Sequence, residues 1–286
     1  MDKVLIFGSA GQLGSDLVDV LQKSGSFDVI PLTHETADCT DADAVRRAVL
    51  RCRPQFVINS AAYVRVDDCE DHATEAFAVN AIGALNIARA CAEVDACCVY
   101  ISTDYVFDGE KKTPYVESDP PNPINVYGTS KLAGEFLVRQ SARRWLIVRV
   151  SSLFGKTGAR GKGGNFIETI LTKAKRGEAL KVVDDIRISP TYTRDAAEVM
   201  AALLESGQER CVHVANSGSC TWYEFARQAL DYCRIAVPMC PVPSNAFPMR
   251  ARRPQNSSLE SDIRSSAVAT WRDALSRYLA EKAYLA

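Results

Sequence analysis

The stretch Val4-Leu5-Ile6-Phe7-Gly8-Ser9-Ala10-Gly11-Gln12-Leu13-Gly14 decides the fold. Four consecutive apolar residues read as a short buried strand. Glycines then turn the chain, and Leu13, Leu17, Val20 and Leu21 recur at helical spacing. A G-x-x-G-x-x-G turn between a strand and a helix is a relative of the dinucleotide-binding fingerprint. Its glycines allow a tight turn and a close backbone approach to a pyrophosphate at the helix N-terminus. Gly8, Gly11, Gln12, Leu13 and Gly14 are therefore candidate cofactor-binding residues.

Outward from this loop, strand and helix signals alternate. Strands are expected at Val29–Leu32, Phe56–Asn59, Cys98–Ser102 and Leu146–Val150. Helices are expected at Ala42–Arg53, closed by Pro54, and at Ala73–Val94 and Val126–Gln140. This alternation predicts an α/β fold: a doubly wound parallel sheet with right-handed crossovers, an NAD(P)-binding Rossmann domain over residues 1–150. After residue 151 the texture changes. Gly155–Gly164 is rich in glycine and lysine and reads as a mobile loop, and helices are expected at Asn165–Arg176, Asp195–Glu205 and Ala267–Lys282. Residues 151–286 are read mainly as a smaller C-terminal α/β substrate-binding region, with 211–216 returning to the first sheet. Such a region covers the carboxyl edge of the strands, where open α/β sheets bind ligands.

Bulk properties narrow the function. The chain has 286 residues, is 47% hydrophobic and carries a formal net charge of -1, so no field favours nucleic acid or an anionic membrane. No run of ~18 apolar residues occurs, and the chain begins directly as a strand, so a soluble cytoplasmic protein is expected. The ten cysteines are scattered, with no C-x-x-C and no zinc spacing, and read as reduced thiols acting as small hydrophobes. No metal is expected. His34, His72 and His213 read as structural or exposed.

The end of the second strand bears on the cofactor. Thr33-His34 stands where a ribose-binding acid is expected, and no arginine is there to hold a 2′-phosphate, so NADPH or NADH is expected. Asp38 and Cys39 are placed by the adenine, and Ala61, Ala62 and Tyr63 along the cofactor path.

The chemistry lies in Ser102-Thr103-Asp104 and in Tyr127-Gly128-Thr129-Ser130-Lys131. Tyr and Lys four apart share one helix face. An ammonium beside a phenol favours the phenolate, and moving a phenol from ~10 to ~7 takes about 4 kcal/mol. Lys131 is thus expected to lower Tyr127 into the range of a usable acid/base.

With the glycine loop, Asn59-Ser60-Ala61-Ala62, Ser102-Thr103-Asp104 and Tyr-x-x-x-Lys in this order, the chain resembles the extended short-chain dehydrogenase/reductases. Within them it is similar to the dTDP-4-dehydrorhamnose reductases, through Ser102–Gly109, Asn125–Glu135, Ser189-Pro190-Thr191, and Arg253-Pro254 with Asn256, Ser257 and Leu259. The resemblance implies NAD(P)H-dependent reduction of the C4 ketone of dTDP-4-dehydro-6-deoxy-L-mannose to dTDP-L-rhamnose. It implies that Tyr127 gives the alkoxide its proton, Lys131 holds the nicotinamide ribose and Thr103 orients the sugar oxygen. Asp104 and Asn165 would contact the substrate, and Arg187 and Arg253 its diphosphate, which a forked guanidinium suits. Asn80 resembles a family position that holds backbone near the cofactor. Tyr105 follows Asp104 where sugar dehydratases carry an acid, which favours simple reduction. Ser152 stands where the family usually has a tryptophan. Alternatives are a ketoreductase or epimerase for another nucleotide sugar, or a non-catalytic, cofactor-binding regulatory subunit. The assembly is left open, with a homodimer as one form.

Overall fold

In the computed structural model, which describes residues 1–157, 164–262 and 268–285, the first half alternates strand and helix. β1 (Asp2–Phe7) leads through the glycine loop to α1 (Gln12–Ser24), then β2 (Phe27–Leu32), α2 (Ala42–Cys52) and β3 (Phe56–Asn59). Next come α3 (Val66–Asp71), α4 (Ala73–Phe77), a π-helical turn (Ala78–Ile82), α5 (Gly83–Val94) and β4 (Cys97–Thr103). A short 3-10 turn precedes α6 (Val126–Ser141) and β5 (Arg144–Val150). The second half holds β6 (Leu153–Phe154), α7 (Phe166–Lys175), β7 (Leu180–Val183), β8 (Arg187–Ile188), β9 (Thr191–Tyr192) and α8 (Thr193–Glu205). It ends with β10 (Cys211–Val214), β11 (Cys220–Thr221), α9 (Trp222–Tyr232), β12 (Met239–Val242) and α10 (Trp271–Glu281).

Six strands form one parallel sheet in the order β10-β5-β4-β3-β1-β2. Side chains of successive strand residues point to opposite faces, and both faces are covered. Val4, Ile6, Ile58, Val99 and Val148 pack on one side with Leu17 and Leu21 of α1 and Ala197 and Met200 of α8. Leu5, Phe7, Val57, Cys98 and Ile147 pack on the other with Val45, Ile87, Cys91 and Val138. Burial on both sides is why these strands read as continuous apolar runs. β10 (Cys211–Val214) pairs with β5 at the edge of the sheet, and α8 packs on α1.

The chain order reverses between β1 and β3, and this switch point opens a crevice at their carboxyl ends. A separate core of Phe154, Ile167, Leu171, Phe225, Leu230, Trp271 and Tyr278 holds α7, α9 and α10 together beyond β5.

The helix expected over Ala73–Val94 is interrupted by the π-helical turn, a feature frequent at functional sites. By length and composition this segment could cross a bilayer, but here it packs against α2 and α6. None of the ten cysteines is in a disulfide. Within the glycine- and lysine-rich loop, residues 158–163 lie outside the described residues. Residue 267, where the last helix was expected to begin, does too, and that helix starts at Trp271.

Candidate active site

A cavity of about 910 Å3 runs along the carboxyl edge of the sheet, from the glycine loop across β4 and α6 to α7 and α9. Its volume suits an organic ligand of cofactor size.

The glycine-loop end is built from backbone. Gly8 has a φ of 74°, and a Cβ there would stand 2.6 Å from the Ala61 backbone nitrogen. A Cβ on Gly14 would stand 2.2 Å from the Gly8 carbonyl oxygen. Only hydrogen fits at these approaches, which let the loop pass tightly between β3 and α1. No side chain caps the N-terminus of α1 and no acid lies in its first turn, so its amides remain available to an anion. The buried Gln12 amide nitrogen has no hydrogen-bond partner and lines the same space. An uncapped helix start, a loop that excludes side chains and an unpartnered buried donor together fit a dinucleotide pyrophosphate. Gly8, Gly11, Gln12, Leu13, Asp38, Cys39, Ala61, Ala62 and Tyr63 line the cavity. Gly14 does not, and serves helix packing instead. Thr33 and His34 line it beyond β2.

Asn80 lies buried in the π-helical turn. Its side-chain amide accepts from Tyr63 N at 2.9 Å and donates to Tyr63 O at 3.2 Å and Ser130 Oγ at 2.9 Å. It thereby fixes the loop after β3 against α6, one residue before Lys131.

Asn125 starts α6. Its side chain accepts from Gly128 N at 2.8 Å and donates to Arg252 O at 2.9 Å, tying the C-terminal segment to the catalytic helix. A Cβ on Gly128 would stand 2.1 Å from Tyr105 O, so α6 sits hard against the β4 loop. Tyr127 and Lys131 consequently face the cavity with Thr103, Asp104 and Tyr105. Tyr105 meets Tyr127 edge-on, with ring centroids 5.9 Å apart. Thr103 Oγ1 donates to Asp104 Oδ1 at 3.0 Å, and Ser151 Oγ donates to Asp104 Oδ2 at 3.0 Å. Lys131 Nζ lies 4.1 Å from the Tyr100 ring centroid, within cation–π range. Four residues further along the helix, Glu135 is buried in a bidentate pair with Arg149 and accepts from Ser102 Oγ at 2.5 Å.

Burial governs the titration of this centre. It pushes the Asp104 carboxyl up to about 6, against the hydroxyls that hydrogen-bond it. It brings the Lys131 ammonium down to about 7, with Glu135 opposing. Tyr127 is raised above the ordinary phenol value by burial, with the Thr103 hydroxyl opposing and the Asp104 charge adding. This corrects the expectation that Lys131 holds the phenol low. Desolvation penalises every charged form, and spacing along a helix carries no information about it. A phenol held protonated remains a proton donor at neutral pH.

The remaining expected substrate residues are placed differently. Asn165 lines the cavity, but its side chain already donates to Gly155 O at 3.2 Å and Tyr278 Oη at 2.9 Å while capping α7. Arg253 does not line the cavity; it pairs with Asp67 at 2.9 Å and binds Ala251 O at 3.1 Å. Arg187 is exposed beside Ser219, also off the cavity wall. Ser152 lines the cavity in a left-handed conformation, φ 44°. Ser151, Phe166 and Trp222 were not expected from sequence. Ser151 lies outside any motif, and no motif in the sequence marks the two aromatics. Among the described residues, no cluster of three or more His, Cys, Asp or Glu could hold a metal ion.

A parallel sheet with a glycine loop at its switch point, and a Tyr–Lys pair beside a Thr-Asp step, define an extended short-chain dehydrogenase/reductase. A family model described as "RmlD substrate binding domain" matches residues 2–284, and the chain belongs to that family. It is 38% identical over 288 residues to the spore coat polysaccharide biosynthesis protein SpsK of Bacillus subtilis, covering 99% of this chain and 98% of that one. It is 37% identical to the dTDP-4-dehydrorhamnose reductase of Burkholderia thailandensis, covering 91% of each. The crystal structure of dTDP-4-dehydrorhamnose reductase from Bacillus anthracis in complex with NADP matches with a TM-score of 0.93 at 37% identity, over 98% of this chain and 99% of that one.

Proposed function

We propose that this protein catalyses the NAD(P)H-dependent reduction of the C4 ketone of dTDP-4-dehydro-6-deoxy-L-mannose, giving dTDP-L-rhamnose in the cytoplasm. The observation that carries this reading is the convergence of Thr103, Tyr127 and Lys131 on the cavity that also meets the glycine loop. Relatives named dTDP-4-dehydrorhamnose reductase, at about this length, support the choice of substrate.

The reduced nicotinamide, when bound, supplies the hydride that reaches C4. Tyr127 delivers its phenolic proton to the oxygen that becomes the new hydroxyl, which balances the addition. Its buried setting keeps that proton in place until negative charge develops on the substrate oxygen. Thr103, whose hydroxyl donates to Asp104 here, would turn that proton to the carbonyl oxygen of the bound substrate and hold it toward the phenol. Lys131, brought by burial to about 7 and so partly protonated at neutral pH, would hold the ribose of the bound cofactor and offer hydrogen-bond donors and partial positive charge near the phenol. In this low-dielectric setting the protonated fraction acts strongly. Tyr105 stands where elimination would need an acid, so reduction proceeds without loss of water.

Incubation of the protein with NADPH and this 4-keto sugar should consume the two in equal amounts and yield dTDP-L-rhamnose. Tight cofactor binding with no turnover of this or any other nucleotide 4-keto sugar would sink the proposal.

A further inference from the structure

The proton that Tyr127 gives up must be replaced before the next turnover, and a buried acid lies behind Thr103. The Thr103 hydroxyl stands between two titratable groups: it donates to Asp104 Oδ1 at 3.0 Å and is within hydrogen-bonding reach of the Tyr127 phenol. Thr103 Oγ1 also accepts from Tyr105 N at 3.2 Å. Asp104 is 3% exposed. Its second oxygen accepts from Ser151 Oγ at 3.0 Å, directly after β5. The buried Ser257 hydroxyl of the C-terminal segment approaches the same carboxyl without a hydrogen bond of regular geometry. The phenols of Tyr105 and Tyr127 complete its surroundings, with the Asp67–Arg253 pair facing Tyr105. Among the described residues no cation forms an ion pair with Asp104. A buried carboxyl with hydroxyl donors and no cation can hold either a proton or a charge, and burial brings its titration to about 6.

We propose that Asp104 is the proton reservoir of the reaction and resupplies Tyr127 through the Thr103 hydroxyl. This rests on the reading of the reaction given above. With Asp104 protonated, the hydrogen bond between the two side chains reverses. The Thr103 oxygen then accepts from Asp104 and from Tyr105 N, and its own proton is free to orient the substrate oxygen. As the C4 O–H bond forms and the Tyr127 O–H bond breaks, a phenolate is left unpaired in a buried site, which is costly. The new C4 hydroxyl no longer needs a donor, so Thr103 turns its proton to the stronger acceptor. The phenolate takes the Thr103 proton, and the Thr103 oxygen takes the proton of Asp104. Both hydroxyls end as they began, and the net change is one carboxylic acid become carboxylate. Thr103 and Ser151 are already placed to hydrogen-bond that carboxylate. Water returns the proton to Asp104 once product leaves the cavity. Lys131, whose Nζ lies 4.1 Å from the Tyr100 ring centroid, is the competing source.

Stopped-flow oxidation of NADPH by the 4-keto sugar separates the first turnover from later ones. In wild type the ratio of steady-state to first-turnover rate should fall about tenfold per pH unit above about 6, because burial keeps Tyr127 protonated while Asp104 ionises. In Asp104→Asn one equivalent of NADPH should be oxidised in a burst, with later turnovers about 10²-fold slower. Thr103→Ser, which keeps the hydroxyl, should show no such split. A merely structural role for Asp104 slows first and later turnovers alike. Infrared difference spectra across pH, taken without substrate, should show a protonated-carboxyl band with a midpoint near 6. That band should be absent in Asp104→Asn and titrate at higher pH in Thr103→Val, which removes a donor to the carboxylate. Tm and NADPH affinity, measured alongside, report whether each variant is folded. Absence of the band, a wild-type ratio that ignores pH, or no burst in folded Asp104→Asn would overturn the reservoir. If the band responds to Thr103→Val yet wild type reduces no 4-keto sugar, the reaction reading fails and the Asp104–Thr103 coupling stands. If wild type turns over and Asp104→Asn shows no burst, the reverse holds.

Discussion

The glycine-loop end and the catalytic end of one cavity are built from opposite materials. Backbone makes the first: glycines at 8 and 14, uncapped amides at the start of α1, and no acid in its first turn. Buried side chains make the second, where Asp104, Tyr127 and Lys131 have all moved away from their ordinary titration ranges. Backbone recognition depends on shape and fails when a Cβ intrudes. Side-chain chemistry depends on desolvation and fails when a proton sits in the wrong place. Perturbing one end should therefore leave the other largely intact.

Tyr127→Phe gives the largest expected effect. It removes the proton donor, so kcat should fall by ~10²–10⁴-fold, while the NADPH dissociation constant stays within about twofold. Comparable losses in both would show that the two ends are not separable.

Lys131 comes next, through stability. Its folded value of about 7 lies below the ordinary 10.5, so the unfolded chain binds the proton more readily between those limits. Stability should rise as pH climbs from about 7 toward about 10, by up to ~5 kcal/mol in total. Lys131→Met should flatten that rise in denaturant titrations across pH, raise Tm at neutral pH and abolish turnover.

Asp104 moves the opposite way. Its carboxyl is pushed from 3.8 up to about 6, so the folded chain holds a proton that the unfolded chain releases. Stability from this group is present below about pH 4 and is lost as pH rises through 6, a cost of ~3 kcal/mol. Asp104→Asn should remove that slope. If the slope persists, another group is responsible.

The smallest effect tests the other end. Gly8→Ala places a Cβ against Ala61 at a positive φ, and should cost ~1–3 kcal/mol of stability. It should also weaken NADPH binding at least ~10-fold. Saturating NADPH should restore kcat toward the wild-type value.

The same contrast explains what could be read from the sequence. The sheet was legible because strands buried on both faces are apolar throughout, and the loop because glycine is conspicuous. Tyr127 and Lys131 were legible because four-residue spacing fixes a helix face. Burial was not, and so the direction of the Tyr127 shift was missed. Arg253 suits a phosphate by chemistry, but Asp67, distant in sequence, already pairs with it. Nothing local marks Ala78–Ile82 as a π-helical turn, and the partners of its Asn80, Tyr63 and Ser130, are distant in sequence. No motif marks Trp222, which meets Phe166 of α7 only through the fold.

The central claim is that one cavity delivers hydride from its glycine-loop side and a proton from Tyr127 to the same carbonyl. It is tested most directly with NADPH deuterated at the transferred position of the nicotinamide and the dTDP-linked 4-keto sugar. The account predicts dTDP-L-rhamnose carrying one deuterium at C4, with one cofactor oxidised per product. Product without deuterium, or an epimerised sugar with no net cofactor oxidation, would contradict it.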